Sequence, residues 1–363
     1  MPYEPKIIRF DRTCKALGAV DWRGGVVLRS TNWLGDMLMT LPATWQLRCA
    51  LPVDVPLWVV APEGLSPLWS AASWIDGVIP FQGKRLDSSA CRAVKEHEFG
   101  LGVILPNSFG SALDFWKCGI SRRLGRGGNF RGWMLTDRIP QWRHHEGEGE
   151  WHQLSWYLEL MSPVGNIEYT AECPSLEVDA EGAACYDIAK GGGWVVLAPG
   201  AAFGPAKQWP EENYAAVARH VIKHGGRVAV VGTRQESSLA ARIVAQAPGA
   251  LNLAGKTKLP QLMSVLANAD AVVANDSGSM HLAAALGTPG VGIFASTDPV
   301  ATGPLGAPWE LVVSSADCRP CLQRKCPWAG AREYMCMQSL PVEKILEALR
   351  KQFSILNSQF SIN

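Results

Sequence analysis

The stretch from Ala271 to Gly287 restricts the fold more than any other part of the chain. It opens with a short apolar run, Ala271 to Ala274, of the composition that suits a strand buried on both faces of a parallel sheet. Asn275, Asp276, Ser277 and Gly278 break the run, and Asp276 or Ser277 is placed to cap a helix by accepting a backbone N–H. The helix is expected through Leu282-Ala-Ala-Ala-Leu286, stopping at Gly287 with Pro289 just beyond. A small-residue turn from strand into helix is a natural anion site. Its unpaired amides and the helix dipole point at whatever sits there, and Ser277 and Gly278 let a phosphate come close. His281 adds a donor from the first turn. The other reading of these residues is a capped helix with His281 packed in a core. Two common phosphate motifs, the Walker loop and Gly-x-Gly-x-x-Gly, are absent here.

The same alternation of strand and helix runs along the chain twice. In the first half, strands are expected at 25–30, 55–60, 78–81 and 101–105, with helices at 37–47, 65–72, 88–97, after Ser108 and at 151–161. Pro42 predicts a kink in the first helix. The second half restarts with strands at 194–198, 227–231, 251–254, 271–274 and 291–295. Helices follow Pro210, Glu236 and Pro260, and a last one covers 341–353. The pattern implies an α/β chain with two parallel sheets, helices on both faces, and ligands outside the carboxyl ends of the strands.

The 363 residues suit about two domains of ordinary size, and 47% apolar content supplies two cores. Residues 1–24 read as a loose extension, 25–165 as the first domain, 166–176 as a linker, 177–340 as the second domain, and 341–363 as a C-terminal helix and tail. A net charge of +1 argues against a wholesale nucleic-acid binder. No run approaches the ~18 apolar residues of a membrane span. The first residues lack an apolar segment of the signal-peptide kind, which predicts a cytoplasmic protein with reduced thiols.

One stretch departs from the alternation. Between Lys117 and Arg143 stand Arg122, Arg123, Arg126, Arg131 and Arg138 against a single acid, Asp137, among glycines that make it loop-like, with Trp133 and Trp142 interleaved. It reads either as a solvated face or as an arginine-rich surface that grips an anionic acceptor through bidentate guanidinium groups. His144 and His145 lack spaced partners and are not read as metal ligands.

Asp276-Ser-Gly-Ser-Met-His281, followed by Ala-Ala-Ala-Leu-Gly-Thr-Pro289, closely resembles the donor-site signature of the lipopolysaccharide heptosyltransferases, glycosyltransferase family 9. The resemblance runs from about Val26 to about Leu349. It implies a GT-B fold, two Rossmann-like domains facing a central cleft, with the C-terminal helix expected to cross back to the first domain. Asn32-Trp-Leu-Gly-Asp36 resembles the family's N-terminal Gly-Asp motif, whose acid is assigned as the general base that deprotonates the acceptor hydroxyl. The assignment is sensible, since a sugar hydroxyl is a poor nucleophile until a positioned carboxylate takes its proton. Read from the residues alone, Asp36 is favoured as an N-cap of the next helix, and the match with the other two motifs reverses that preference. Ala201-Ala-Phe-Gly-Pro-Ala-Lys-Gln-Trp-Pro210 resembles the donor-phosphate loop, and its Gly-Pro pair is most like the heptosyltransferase II branch. There Lys207 would neutralise the diphosphate. Glu236, after a strand, is a candidate for ribose contact or simply the start of a helix. Asn275 and Trp209 are read as structural.

Cys318, Cys321, Cys326 and Cys336 stand close in sequence, at a spacing that fits neither a zinc ribbon nor a plant-type ferredoxin. They are read as plain thiols, with a structural metal as the alternative.

The resemblance implies an inverting transfer of L-glycero-D-manno-heptose from ADP-heptose to the lipid A-linked inner core, with addition of the second heptose expected. Arg122, Arg123 and Arg126 would meet the acceptor. Lys207, Glu236, Asp276, Ser277, Gly278 and His281 would meet the donor. No cofactor is called for, and no Asp-x-Asp metal motif appears. The enzyme would touch the cytoplasmic face of the inner membrane without spanning it, and would bind no nucleic acid. The rivals are a family 9 enzyme with another acceptor, a GT-B nucleotide-sugar 2-epimerase, and a non-catalytic ADP-heptose-binding homologue. The basic stretch counts against the second, and the presence of Asp36 and Lys207 against the third.

Overall fold

Among the described residues every ladder is parallel, as continuous apolar strands predict. The computed structural model describes residues 2–11, 14–141, 151–179 and 181–356, with side chains to 352. Trp142, Arg143, His144, His145 and the acids after them lie outside the described residues. The chain forms two units, one of residues 6–177 and one of residues 178–363 joined by the first five.

The first unit holds β1 (Val26–Arg29), β2 (Leu57–Pro62), β3 (Gly77–Phe81), β4 (Leu101–Ile104), β5 (Arg122–Arg126) and β6 (Asp137–Ile139), in the order β3-β2-β1-β4-β5-β6. The second holds β7 (Trp194–Ala198), β8 (Arg227–Val230), β9 (Leu251–Asn252), β10 (Ala271–Asn275), β11 (Gly290–Phe294) and β12 (Trp309–Val313), in the order β12-β11-β10-β7-β8-β9. Counted from its own first strand, each sheet has the same Rossmann order, which reverses direction beside its first strand. The switch points lie between β1 and β4 and between β7 and β10. These four strands are wholly buried, so the crevice at their carboxyl ends has a rigid floor.

Several expectations need correction. The supposed loop at 117–143 contains β5 and β6. Arg122 and Asp137 pair at 3.0 Å across them, and Leu124 and Ile139 supply the buried positions. β12 was not expected at all. The kink at Pro42 is a full break, with helices at Leu34–Leu38 and Leu41–Ala50, because Pro42 fits best in the first turn of a new helix. The N-terminal extension is tied down. Ile8 N–H donates to Ser155 Oγ at 3.1 Å, and Leu17 N–H to the Pro163 carbonyl at 2.8 Å, both in the first unit. Tyr3 N–H donates to the Trp309 carbonyl in the second. The C-terminal helix, Val342–Leu356, belongs to the second unit. Its Ile345, Ala348 and Leu349 fall on one face and enter the core that holds Val291, Val312 and Val221.

Candidate active site

At the switch point of the first unit, the turns leaving β1 and β4 enclose a cavity of about 430 Å³. Asn32, Trp33 and Asp36 line it from one side, Asn107 and Ser108 from the other, and Arg126, Gln153 and Tyr157 add polar groups. The N-cap of the helix Leu34–Leu38 is Trp33, and Asp36 is its third residue. Asp36 therefore does not occupy the cap position open to it in the sequence. Its charge acts on Tyr157, whose phenol is pushed up first by burial and then by that carboxylate. Gln153 donates to the Tyr157 hydroxyl at 3.0 Å.

The three arginines expected at the acceptor do not form one surface: side chains alternate along the strand, so Arg123 faces away from the other two, and Arg122 and Arg126 stand at its opposite ends. Arg122 pairs with Asp137 and donates to the Gly18 and Ala19 carbonyls. Arg123 donates to the carbonyls of Ile120, Ser121 and Met134. Arg126 reaches the cavity. It is buried, paired with Glu159 at 2.8 Å, and donates to the Pro140 and Trp156 carbonyls. Arg131, which the sequence marked only as one more basic residue, is wholly buried and holds the cavity wall. It donates to the carbonyls of Pro106, Ser108 and Arg126 and to Asn107 Oδ1. Its partners are all neutral, and burial lowers its pKa to about 10.

The second switch point brings together the turns after β7 and β10. Asn275, at the end of β10, ties them. Its amide donates to the Pro199 carbonyl at 2.8 Å, and its oxygen accepts from Trp209 N–H and the Tyr214 hydroxyl. Trp209 is buried and donates to the Leu340 carbonyl, a framework role. Lys207 Nζ stands 2.6 Å from Asp276 Oδ2, which also accepts from Thr297 Oγ1 at 2.6 Å. Asp276 thus positions the lysine. Ser277 is the N-cap of the helix Gly278–Ala285, but its side chain makes no capping bond, and its buried Oγ has no hydrogen-bond partner. A buried hydroxyl of this kind at a helix N-terminus is matched to an incoming acceptor such as a phosphate oxygen.

His281 is buried 3.8 Å from Asp276. Burial lowers its pKa to about 4 against the opposing pull of Asp276. The ring is neutral at pH 7 and offers one N–H, so the positive charge comes from Lys207 and the helix amides. Glu236 closes a capping box, accepting from Thr233 N–H at 2.7 Å and Thr233 Oγ1 at 2.9 Å through one oxygen. Its other oxygen lies against Gly200, where any Cβ would collide with it. Arg324 had no signal in the sequence beyond its neighbouring cysteines. Its guanidinium lies 5.3 Å from the Phe203 ring centroid, and Lys207 Nζ lies 4.7 Å from the same centroid, so a second cation stands on the loop after β7.

The four cysteines are free. Cys336 is buried and the others half-buried, and burial with the nearby thiols pushes the Cys336 thiol up. Among the described residues no three His, Cys, Asp or Glu side chains stand close enough together to hold a metal ion.

Residues 88–331 match the model of glycosyltransferase family 9 (heptosyltransferase). Lipopolysaccharide heptosyltransferase 2 of Escherichia coli strain K12 is 30% identical over 304 residues, which cover 77% of this chain and 85% of that protein. The chain belongs to glycosyltransferase family 9. Lipopolysaccharide heptosyltransferase 2 of Salmonella typhimurium strain LT2 is 29% identical over 301 residues, 77% of this chain and 85% of its own length. The solved structure of E. coli ADP-heptose lps heptosyltransferase II superposes with a TM-score of 0.76 at 26% identity, covering 92% of this chain and all of that one. The family 9 structure from Veillonella parvula DSM 2008, at 19% identity and a TM-score of 0.77 over 93% of this chain and 98% of that one, shares the fold. The fold is of the GT-B type. In this glycosyltransferase both turns of the second switch point fall inside the stretch matched by the family model, whereas Asp36 precedes it.

Proposed function

We infer that this glycosyltransferase moves L-glycero-D-manno-heptose from ADP-heptose to the lipopolysaccharide inner core, adding the second heptose with inversion. The observation that carries the reading is the pairing of chemistries at two equivalent places in the fold. One switch point presents a carboxylate, Asp36, in a polar cavity of about 430 Å³. The other presents Lys207 beside the unpartnered Ser277 hydroxyl and a helix N-terminus.

The acceptor hydroxyl gives its proton to Asp36 as it attacks the anomeric carbon, and the bond to ADP breaks. Charge growing on the diphosphate meets Lys207, the Ser277 hydroxyl, the amides that follow Gly278 and the His281 N–H. Glu236 offers its free oxygen to the ribose. Arg126 faces the acceptor and, held by Glu159, keeps a fixed orientation. The acceptor is lipid-anchored, so the enzyme works as a peripheral protein at the cytoplasmic face of the inner membrane. Among the described residues no helix is long and apolar enough to cross it.

The test is incubation with ADP-heptose and core acceptors of increasing length, scored by ADP release and product mass. Release that requires a heptose-bearing acceptor supports the reading, and release indifferent to the acceptor sinks it. Asp36→Asn should lower kcat by ~10²–10⁴ and leave ADP affinity nearly unchanged. Lys207→Ala should weaken ADP binding and slow turnover together, since its charge meets the diphosphate in both ground and transition states.

A further inference from the structure

Nine large apolar side chains stand exposed among the described residues, and five of them belong to one region of the first unit. Trp33 is 64% exposed, Phe109 42% and Phe130 94%. They sit in or beside the turns that leave β1, β4 and β5, next to or among the residues that line the Asp36 cavity. Trp133, 62% exposed, and Trp116, 45% exposed, extend the patch and meet edge to face at 5.4 Å. Monomeric surfaces rarely gather apolar groups in this way without a partner.

Phe130 is the sharpest case. It holds the left-handed backbone conformation, φ 55°, which bulky side chains avoid, and its ring reaches into solvent. The preceding Asn129, also left-handed, donates to the Asn107 carbonyl at 2.7 Å and so fixes the turn. The fold thus spends strain to point an aromatic ring away from itself.

Cations are interleaved with the rings. The Arg85 side chain packs over Gly110, beside Phe109, and the Arg138 guanidinium packs over Gly132, beside Trp133. Lys84 and Lys117 are exposed, the latter next to Trp116. The amphipathic tryptophan ring settles at the headgroup level of a bilayer, a phenylalanine ring beside it buries at the headgroup–acyl boundary, and each nearby cation is drawn to anionic lipid.

We propose that this aromatic and basic face docks on an anionic lipid bilayer, with Phe130, Trp133 and Trp116 entering the headgroup region. It rests on the reading of a lipid-linked acceptor, whose sugar would then be presented at the mouth of the Asp36 cavity. The probe is sedimentation of the full-length enzyme, without substrates, with vesicles of phosphatidylethanolamine and phosphatidylglycerol at roughly three to one, against pure phosphatidylcholine. The wild type should partition onto the anionic vesicles. The double variant Phe130→Asn/Trp133→Ser should bind them about tenfold less well or worse. Asparagine tolerates the left-handed backbone, so the turn survives the change. Lys117→Glu/Arg138→Glu should weaken binding at low salt and converge on the wild type at about 0.5 M salt. ADP release with a deacylated, water-soluble acceptor should be the same for Phe130→Asn/Trp133→Ser as for the wild type, which separates docking from folding. Wild-type binding without any turnover on the soluble acceptor would refute the acceptor reading and leave the docking face standing. The proposal is overturned if the wild type ignores anionic vesicles or if the aromatic variant binds them unchanged. It is equally overturned if the variant's only defect is loss of a dimer in analytical ultracentrifugation, which would assign the face to a second copy of the chain.

Discussion

His281 shows how far a single buried side chain governs the second switch point. Burial lowers its pKa to about 4, so the folded chain holds the ring neutral while an unfolded chain protonates it near its ordinary value of about 6.5. Below that value the unfolded state binds the extra proton, and stability is lost as pH falls from about 6.5 toward 4, by on the order of 3 kcal/mol. His281→Gln should remove this component. Urea unfolding at pH 7 and at pH 4.5 should show a smaller drop for the variant than for the wild type, and an equal drop would mean that the ring is solvated. The residue scale is also where the sequence was least legible. Asp276, Ser277 and Lys207 were picked out by the motifs, but that Asp276 clasps Lys207 depends on the meeting of two loops 69 positions apart. Arg131 and Arg324 carried no local signal. Charge in a list of charges does not disclose which guanidinium is buried against carbonyls and which lies over a ring.

At the scale of elements, the strands that open and flank each crevice were readable, because burial on both faces demands an unbroken apolar run, as in Val195-Val-Leu197 or Val272-Val-Ala274. β5 was not, since Arg122-Arg-Leu-Gly-Arg126 reads as a polar loop until its guanidinium groups find Asp137, Glu159 and backbone carbonyls. The helix Val342–Leu356 was expected as a helix, and its docking was taken from the resemblance. Its buried Leu349 and Ile345 attach it to the second core. Leu349→Ala should cost about 2–5 kcal/mol through lost burial and the cavity left behind. Lys344→Ala, on the exposed face, should stay within about 0.5 kcal/mol. The check is the urea midpoint of each variant at constant slope, and near-equal shifts would show that the helix is only loosely held.

For the whole molecule, the two sheets of identical order confine ligands to the carboxyl ends of particular strands. If ADP occupies the second unit, hydrogen exchange should slow on its addition in 199–210 and 276–281 and remain unchanged in 32–36. Protection confined to 32–36 would reverse the assignment of donor and acceptor units. The strand order also sets a timetable for a chain made from its N-terminus. β1, β2 and β3 can pair as they emerge, yet β1 keeps one open edge until Leu101–Ile104 arrives, and β7 keeps one until Ala271–Asn275. A nascent chain halted before Ala271 therefore has three strands of its second sheet, an unpaired edge on β7, and one bank of a crevice whose other bank has yet to be synthesised.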